Sequence, residues 1–282
     1  TTYYVSECIS GADADCVAGN DSNDGLSMAN AWKTYEKARA TFSGLSGGDQ
    51  ILFAKGGKFN ASGGRWNNYN STGASPVVIA EYTPTWASGD EAIPLFIVAA
   101  QYDNGFDFTD GGNANAEEGY TFRNLNIQCT FGATANGSGF WMYNDVDDVT
   151  ISGVTVDGCR VGINSASSSA CEAGDAACNG INERLTVSNS TVINSIQQGF
   201  LGHADSLVIE NSTFTNNGGG TNKDHNIYYS GGNDSRISGN TLFQSSLDGA
   251  GLCQGTSLVV HGNTDNLLIE NNLVYEALTK AG

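Results

Sequence analysis

A short segment recurs along the second half of the chain, and this repeat limits the folds open to it more than any other feature. The six copies read YTFRNLNIQC, VTISGVTVDG, LTVSNSTVIN, LVIENSTFTN, SRISGNTLFQ and NLLIENNLVY. Each copy contains an apolar anchor residue, and a second apolar residue follows five positions later. The anchors are Phe122, Ile151, Val187, Ile209, Ile237 and Ile269, and the residues that follow them are Ile127, Val156, Val192, Phe214, Leu242 and Val274.

A small or amide residue stands between the two apolar positions in the last four copies, as Ser190, Ser212, Asn240 and Asn272. Short strands that bend at such a residue can stack in parallel, one level upon the next, so that like side chains lie over like. An antiparallel sandwich also contains short strands and turns. A sandwich explains neither the pair of apolar positions that recurs in every copy nor the small or amide residue that recurs between them. The sequence therefore predicts a parallel ladder built from repeats.

The repeats and the opening segments YYVS, GNDSNDGLSMANAWKTYEKA and GGDQILFAKGGKF resemble the right-handed parallel β-helix proteins of the pectate-lyase-like superfamily. The resemblance covers nearly the whole chain. It implies an all-β fold, a right-handed parallel β-helix with a short N-terminal capping helix. It also implies a protein that acts on or binds polysaccharide, and it indicates the architecture more directly than the reaction.

The segment ANAWKTYEKARATF predicts the capping helix. Trp32, Tyr35, Ala38 and Phe42 recur at helical spacing, with charged residues between them. We expect this helix to cover the first level of the ladder, which would otherwise expose its core and its unpaired edge. Residues 1–48 should therefore form an N-terminal cap and residues 49–282 the β-helix, as one cooperative unit.

The charge of the chain excludes one class of partner. Lys and Arg number 12 against 30 Asp and Glu, and the net charge is -18, so the chain should repel nucleic acid. No apolar run is long enough to span a membrane, and the opening TTYYVSECIS does not read as a leader peptide. We expect a mature protein that is secreted, extracellular or displayed on the cell surface.

Two pairs of cysteines lie close in sequence, Cys8 with Cys16 and Cys171 with Cys178. Disulfides in these pairs would indicate an oxidising compartment. The alternative is that these cysteines are reduced and buried.

Three further cysteines complete the odd count of seven. Cys129 and Cys159 lie at similar positions past their anchors and should be neighbours on successive levels, either bonded or merely stacked. The cysteine expected to remain a thiol is Cys253.

The loop before the helix is rich in oxygen ligands. Its candidate calcium ligands are Asp13, Asp15, Asp21, Asn23 and Asp24. Their spacing does not match a helix–loop–helix calcium site. The alternative is a set of turns stabilised by Asp and Asn side chains, together with a helix cap.

Cationic side chains are scarce between Leu185 and Thr279, where Lys and Arg occur only as Lys223 and Arg236. All three histidines of the chain fall in the same span. His203 and His261 precede the anchors of nearby levels, so they are expected near the segment TNKDHNIYYSGGND. The candidate catalytic residues are Lys223, His225, Tyr228, Tyr229, Arg236, His203 and His261.

The resemblance implies how these groups would act. β-Helix lyases neutralise the carboxylate of a uronic-acid unit, remove the adjacent proton and protonate the leaving oxygen. Lys223 or His225 would be the base, Arg236 or a bound Ca²⁺ would neutralise the carboxylate, and Tyr228 or Tyr229 would be the acid. Alternatively, the two cations only balance nearby aspartates on a solvated surface.

Two other functions fit the same sequence. A glycoside hydrolase needs paired carboxylates, and the segment NDVDDV offers Asp145, Asp147 and Asp148. A non-catalytic surface or fibre protein would instead bind polysaccharide on a rigid rod. Because Ile269 and Val274 form one more level shortly before the sequence ends, we also expect this C-terminal level to be covered either by further polypeptide or by another subunit, as in a head-to-tail assembly of copies.

Overall fold

The computed structural model describes residues 1–109, 117–132, 137–167 and 179–276. These residues form three long sheets in which all strand pairs are parallel. One α-helix, α1 (Tyr35–Phe42), and a short 3-10 helix, Met28–Asn30, precede most of the strands. In the described residues, no helix is long and apolar enough to cross a membrane.

The strands divide among the sheets in a fixed order along the chain. The first sheet contains β1 (Thr2–Val5), β2 (Gln50–Ala54), β4 (Val77–Tyr82), β7 (Glu118–Arg123), β10 (Asp147–Ser152), β13 (Thr186–Ser188), β16 (Val208–Glu210), β19 (Arg236–Ser238) and β23 (Leu268–Glu270). The second sheet contains β3 (Lys58–Asn60), β5 (Leu95–Val98), β8 (Asn126–Cys129), β11 (Thr155–Asp157), β14 (Thr191–Ile193), β17 (Thr213–Thr215), β20 (Thr241–Phe243) and β24 (Leu273–Tyr275). The third sheet contains β6 (Phe106–Thr109), β9 (Ser138–Tyr143), β12 (Val161–Ala166), β15 (Gln198–His203), β18 (Ile227–Asn233) and β21 (Leu258–Val260), and β22 (Thr264–Asp265) also pairs with β18.

The chain visits the three sheets in turn and then returns to the first, and each circuit is one coil. Every strand pairs with the equivalent strand of the next coil, as β7 does with β10 and β10 with β13. This is a right-handed parallel β-helix, and the fold predicted from the repeats is confirmed.

The predicted register is confirmed as well. In the first sheet Ile151 pairs with Phe122 on one side and with Val187 on the other. In the second sheet Val156 pairs with Ile127 and Val192 in the same way. These side chains are almost fully buried, so each level stacks its apolar residues on those of its neighbours.

The polar residues between the two apolar positions form a hydrogen-bonded column. The N–H of Ser190 donates to Ser212 Oγ, the N–H of Ser212 to Asn240 Oδ1, and the N–H of Asn240 to Asn272 Oδ1, at 3.0–3.1 Å. The bend between the first two sheets interrupts the strand ladder, and buried N–H groups there need an acceptor. Ser and Asn supply it from the next coil.

Left-handed backbone conformations mark the corners of each coil. Between the first and second sheets φ is 49–67° at Asn124, Gly153, Asn189, Asn211, Gly239 and Asn271. Only Gly, Asn and Asp adopt this conformation at low cost. The many Asn and Gly residues of the sequence are therefore explained in part by the sharp corners.

The capping helix covers the first coils. Thr34 is its N-cap and accepts a hydrogen bond from the N–H of Lys37, while Tyr35, Ala38 and Phe42 are buried. The Tyr35 hydroxyl donates to the carbonyl of Gly105 in the β-helix. Cap and β-helix share one hydrophobic core, and the boundary drawn after residue 48 stays a prediction.

Two disulfides are present in the described residues. Cys8 bonds to Cys16, and Cys129 bonds to Cys159 with the Cα atoms 4.8 Å apart. The second bond joins successive coils. It shows that Cys129 and Cys159 are bonded and not merely stacked, which the sequence left open. Cys171 and Cys178 lie outside the described residues. Cys253 is a thiol, and its Sγ lies 3.0 Å from Glu276 Oε2.

The last described coil exposes its core positions. Ile269 and Val274, which occupy the same columns as buried residues of earlier coils, are 44% and 50% exposed. The opposite end of the ladder is covered by α1. Assembly of copies through the exposed coil stays a prediction.

Replacing Asn240 with Ala should destabilise the fold by about 2–4 kcal/mol. The change leaves the N–H of Ser212 and the carbonyl of Ile209, both bound to Asn240, without their partner, and each unsatisfied buried group costs about 1–3 kcal/mol. Chemical denaturation of the variant measures the change. The control is Asn263→Ala at an exposed position, and equal stability of the two variants would contradict the role of the column.

Candidate functional site

One register position of the third sheet carries side chains that are partly exposed on three of four successive coils. Trp141, Asn164, Leu201 and Tyr228 occupy equivalent positions on four successive coils. Their neighbours in each strand point into the core, as Phe140 and Tyr229 do. Successive strands lie about 4.8 Å apart, and Trp141, Leu201 and Tyr228 are partly exposed in this row while Asn164 is buried.

A tyrosine and a histidine from neighbouring coils meet on this face. Tyr228 Oη on β18 lies 2.6 Å from Nδ1 of His261, which follows β21. The two rings are 5.8 Å apart between centroids. His261 is exposed and Tyr228 is partly exposed, so a ligand on the face can reach the pair.

His225 supports Tyr228 from the other side. The two rings stack, with centroids 5.5 Å apart. His225 Nδ1 lies 2.9 Å from the carbonyl oxygen of Thr256. A carbonyl only accepts hydrogen bonds, so Nδ1 carries a proton and Nε2 is the basic atom of the neutral ring. The ring is 5% exposed, which makes His225 a positioning residue for Tyr228.

His203 lies at the end of β15 on the same sheet. Its Nε2 is 3.9 Å from Asp205 Oδ1, and its backbone pairs with Gly231 where the register of β15 and β18 shifts. The structure therefore places His203, His225 and His261 on adjacent coils of one wall, as the register of the sequence indicated.

Lys223 lies on the corner that leads into β18. Its side chain is exposed, and it lines a cleft of about 390 Å³ together with Gln197, Gln198, Thr221 and Asp224. Gln198 Nε2 donates to the backbone carbonyl of Lys223 over 3.0 Å. The sequence did not indicate Gln198, because nothing in its spacing links it to the positive segment.

Two predicted site residues lie elsewhere. Tyr229 is fully buried, and its hydroxyl bonds to Ser235 Oγ and to the carbonyl of Ala204, so it cannot protonate a polymer on the surface. Burial also raises the pKa of its hydroxyl. Arg236 belongs to the first sheet and pairs with Glu210 at 2.6 Å. The sequence placed Tyr229 and Arg236 in one site with Tyr228, and this prediction is wrong for both residues.

A carboxylate network occupies the corner between the third and first sheets. Arg184 pairs with Asp147, Asp148 and Glu183, at 3.0 Å and 2.7 Å for the two aspartates and 2.5 Å for the glutamate. Burial raises the pKa of Asp147 to about 7, although Arg184 and the N–H of Glu183 oppose the shift. Asp145 accepts a hydrogen bond from the N–H of Asn179 nearby. Reasoning from the sequence missed Arg184, yet the signal was present.

That signal is the position of the acidic residues relative to the anchors of their coils. Asp147 and Glu183 each stand four residues before an anchor, at Ile151 and Val187. They must therefore lie side by side on successive coils, and a cation beside them is expected. The N–H of Asp148 donates to the carbonyl of Glu183, in agreement with this register.

The Asp-rich loop of the cap uses its side chains in turns. The Asp13 side chain accepts a hydrogen bond from the N–H of Asp15, and the Asp24 side chain accepts one from the N–H of Leu26. The Asp21 carboxylate accepts hydrogen bonds from the N–H groups of Lys33 and Thr34 and from the Thr34 hydroxyl. Asn23 donates to the carbonyl of Ala31.

Hydrogen bonds to Thr34 and Lys33 hold the pKa of Asp21 below its usual value, against the effect of burial. In the described residues, no three Asp, Glu, His or Cys side chains converge as metal ligands. These side chains take part in turns and in the start of the helix, and a calcium ion at this loop stays a prediction.

The comparisons with known proteins concern the fold. No family model and no curated protein matches the sequence. The chain is similar to the crystal structure of a GH136 lacto-N-biosidase from Eubacterium ramulus, with a TM-score of 0.61 and 13% identity over 97% of this chain and 56% of that one. Its selenomethionine derivative gives a TM-score of 0.59 and 14% identity over 100% of this chain and 56% of that one. A pectate lyase, Pel9A, gives 0.46 and 15%, over 100% and 79%.

This chain therefore spans about half the length of the lacto-N-biosidase. At this level of identity the likeness concerns the fold alone, and it agrees with the parallel β-helix seen in the coils.

Removal of calcium should leave the stability of the protein unchanged, because turns already satisfy the carboxylates of the cap. A bound ion at 100 times its Kd would contribute about 2.7 kcal/mol, and its removal would lower the melting temperature by several degrees. Calorimetry with EDTA and with added CaCl₂ measures the difference. A higher melting temperature in CaCl₂ that disappears in Asp21→Asn would instead establish a calcium site in the cap.

Proposed function

We propose that the chain binds a polysaccharide along the outer face of the third sheet and cleaves it by β-elimination beside a uronic-acid carboxylate. The observation that carries this proposal is the 2.6 Å contact between Tyr228 Oη and His261 Nδ1 on that face. It supplies an exposed acid–base pair, and proton transfer is the central requirement of the reaction.

Aromatic side chains favour a sugar polymer as the ligand. Trp141 and Tyr143 leave β9 on the same face with nearly parallel rings, 17° apart in plane and 6.2 Å between centroids. Tyr228 continues the row three coils further on. Flat rings offer apolar area to sugar faces.

The Tyr228 phenol can serve as both base and acid of the reaction, with His261 holding its proton in between. With His261 neutral and its Nδ1 accepting, the Tyr228 hydroxyl transfers its proton to the imidazole and becomes a phenolate. The phenolate removes the proton beside the uronate carboxylate, and the electron pair forms a carbon–carbon double bond as the glycosidic C–O bond breaks. The leaving oxygen then takes a proton from Tyr228, and His261 returns its own to the phenolate.

Two disulfides support a location outside the cytoplasm, because such bonds persist in oxidising compartments. Polysaccharides of cell walls and matrices occur there. Secretion or surface display therefore agrees with the proposed substrate.

Tyr228→Phe should lower cleavage of a uronate polymer by about 100-fold or more, because general acid–base groups contribute about 10²–10⁴-fold. His261→Ala should act similarly. The measurement is ultraviolet absorption of the unsaturated sugar ends across a panel of uronate polymers. Tyr102→Phe, at an exposed position, is the control. Retention of polymer by wild-type protein without any unsaturated ends would instead identify a binding rod.

Glycoside hydrolysis is the second candidate, and the pKa of Asp147 favours it. A carboxyl group with a pKa of about 7 is half protonated at neutral pH and mostly protonated below it, and the acid of a glycosidase must carry a proton. Glu183 or Asp205 on the following coils would supply the second carboxylate. The lacto-N-biosidase to which the fold is similar is a glycoside hydrolase by its name.

If hydrolysis is the reaction, Asp147→Asn should lower it by about 100-fold or more, because the general acid is lost. Wild-type activity should fall as the pH rises through about 7, where the carboxyl group ionises. Release of reducing ends without unsaturated products measures the reaction. Asp90→Asn in the exposed loop before β5 is the control, and full activity of Asp147→Asn would exclude this candidate.

A further inference from the structure

We infer that a pocket between the cap and the first sheet binds one neutral sugar unit, apart from the candidate site on the third sheet. The pocket encloses about 250 Å³, which suits a ligand of a single ring, since drug-sized ligands occupy about 300–1,000 Å³. Ser6 and Tyr82, which ends β4, are almost fully buried and form its floor. Val17, Met28 and Thr85 are exposed and form its rim.

The pocket is neutral, although the chain has a net charge of -18. Of the described residues that line it, none is Asp, Glu, Lys, Arg or His. A carboxylate that entered this pocket would leave water without meeting a cationic side chain, and burial of an unpaired charge costs free energy. The pocket therefore selects an uncharged ligand.

Hydroxyl groups on the floor offer an acceptor to the ligand. Ser6 Oγ donates its proton to the carbonyl of Val17 over 2.6 Å. The Tyr82 hydroxyl interacts with Ser6, and because the Ser6 proton is already used, Tyr82 is the donor in that contact. The lone pairs of Tyr82 Oη remain for a hydroxyl of the ligand, and the exposed Thr85 hydroxyl can donate or accept at the rim.

Trp86 supplies the apolar surface that a sugar ring requires. Its side chain is partly exposed and lines the pocket beside Thr85. A pyranose carries C–H groups on its faces and hydroxyl groups around its edge, so it needs an aromatic side chain and hydrogen-bonding groups together. A purely apolar ligand would cover the Tyr82 oxygen without a hydrogen bond, which costs free energy. A sugar satisfies both kinds of surface.

The cap side of the pocket is held in place before any ligand arrives. The disulfide between Cys8 and Cys16 ends directly before Val17. Gly19 lies so close to Ala31 that a Cβ atom at position 19 would stand 2.5 Å from the Ala31 carbonyl oxygen. Both segments line the pocket. Binding therefore does not have to order the cap, and this lowers its entropic cost.

The pocket is separate from the Tyr228–His261 pair. Tyr82 belongs to the first sheet, and four coils separate β4 from the coil that contains β18. At about 4.8 Å for each coil, the two sites lie about 19 Å apart along the axis. One sugar unit cannot contact both, so the inference does not depend on the reaction proposed above.

The test is calorimetric titration with the neutral trisaccharides of glucose, mannose and galactose, and with those of glucuronate, mannuronate and galacturonate. At least one neutral trisaccharide should bind the wild type, tenfold or more tightly than its acidic counterpart. Ala29→Trp fills the pocket from an exposed position of its lining and should weaken this binding tenfold or more. The matched control is Ala40→Trp, at an exposed position of α1, which should bind as wild type.

Tyr82→Phe adds a second readout, because loss of one hydrogen bond should weaken the neutral ligand about threefold or more. Melting curves of Ala29→Trp should match those of the wild type, so that lost binding is not lost folding. The pocket would be overturned by wild-type affinity in Ala29→Trp, by equal affinity for acidic and neutral ligands, or by no neutral binding at all. Binding that is lost in Trp141→Ala but kept in Ala29→Trp would place the sugar on the third sheet instead.

Discussion

The structure depends on the in-register parallel pairing of each coil with the next. A single coil contributes only one or two apolar side chains from each sheet, too few to form a core. Ile151 is fully buried because Phe122 and Val187 lie directly above and below it. The backbone hydrogen bonds and the apolar stacking therefore require the same alignment, and an error in one would destroy the other.

The corners between the sheets carry the candidate site residues without disturbing the pairing of the coils on either side. Left-handed residues turn the chain sharply between the first two sheets, and the column from Ser190 to Asn272 satisfies the N–H groups that the turn would expose to the core. At the other corners the connections differ in length. Residues 216–226 and 244–257 extend from neighbouring coils, and the strands on either side of them, β17 with β20 and β18 with β21, pair without a shift. They bring Lys223, His225 and Thr256 to the edge of the third sheet.

The sequence was informative wherever residues repeat with the coils. Val192 and Phe214 could be placed opposite each other because only stacking explains their spacing. The same reasoning would have assigned Arg236 to the first sheet, since it directly precedes the anchor Ile237. The third sheet has no comparable repeat, and a register shift between β15 and β18 follows Gly202. The burial of Tyr229 follows from the alternation of β18, in which Ile227 and Tyr229 are buried and Tyr228 is partly exposed. The contact of Tyr228 with His261 depends on the pairing of β18 with β21, which the spacing of the repeats does not give.

The Tyr228–His261 pair is built at the edge of a sheet. β21, which immediately precedes His261, is the terminal strand of the third sheet and pairs with β18 on one side. A solenoid loses its coils from the ends, since an end coil is held by one interface instead of two. Fraying of this coil would separate imidazole from phenol while the central coils remain folded. Heat would then abolish any chemistry that uses the pair at a lower temperature than it unfolds the central coils, and a ligand that spans β15, β18 and β21 would hold this coil in place.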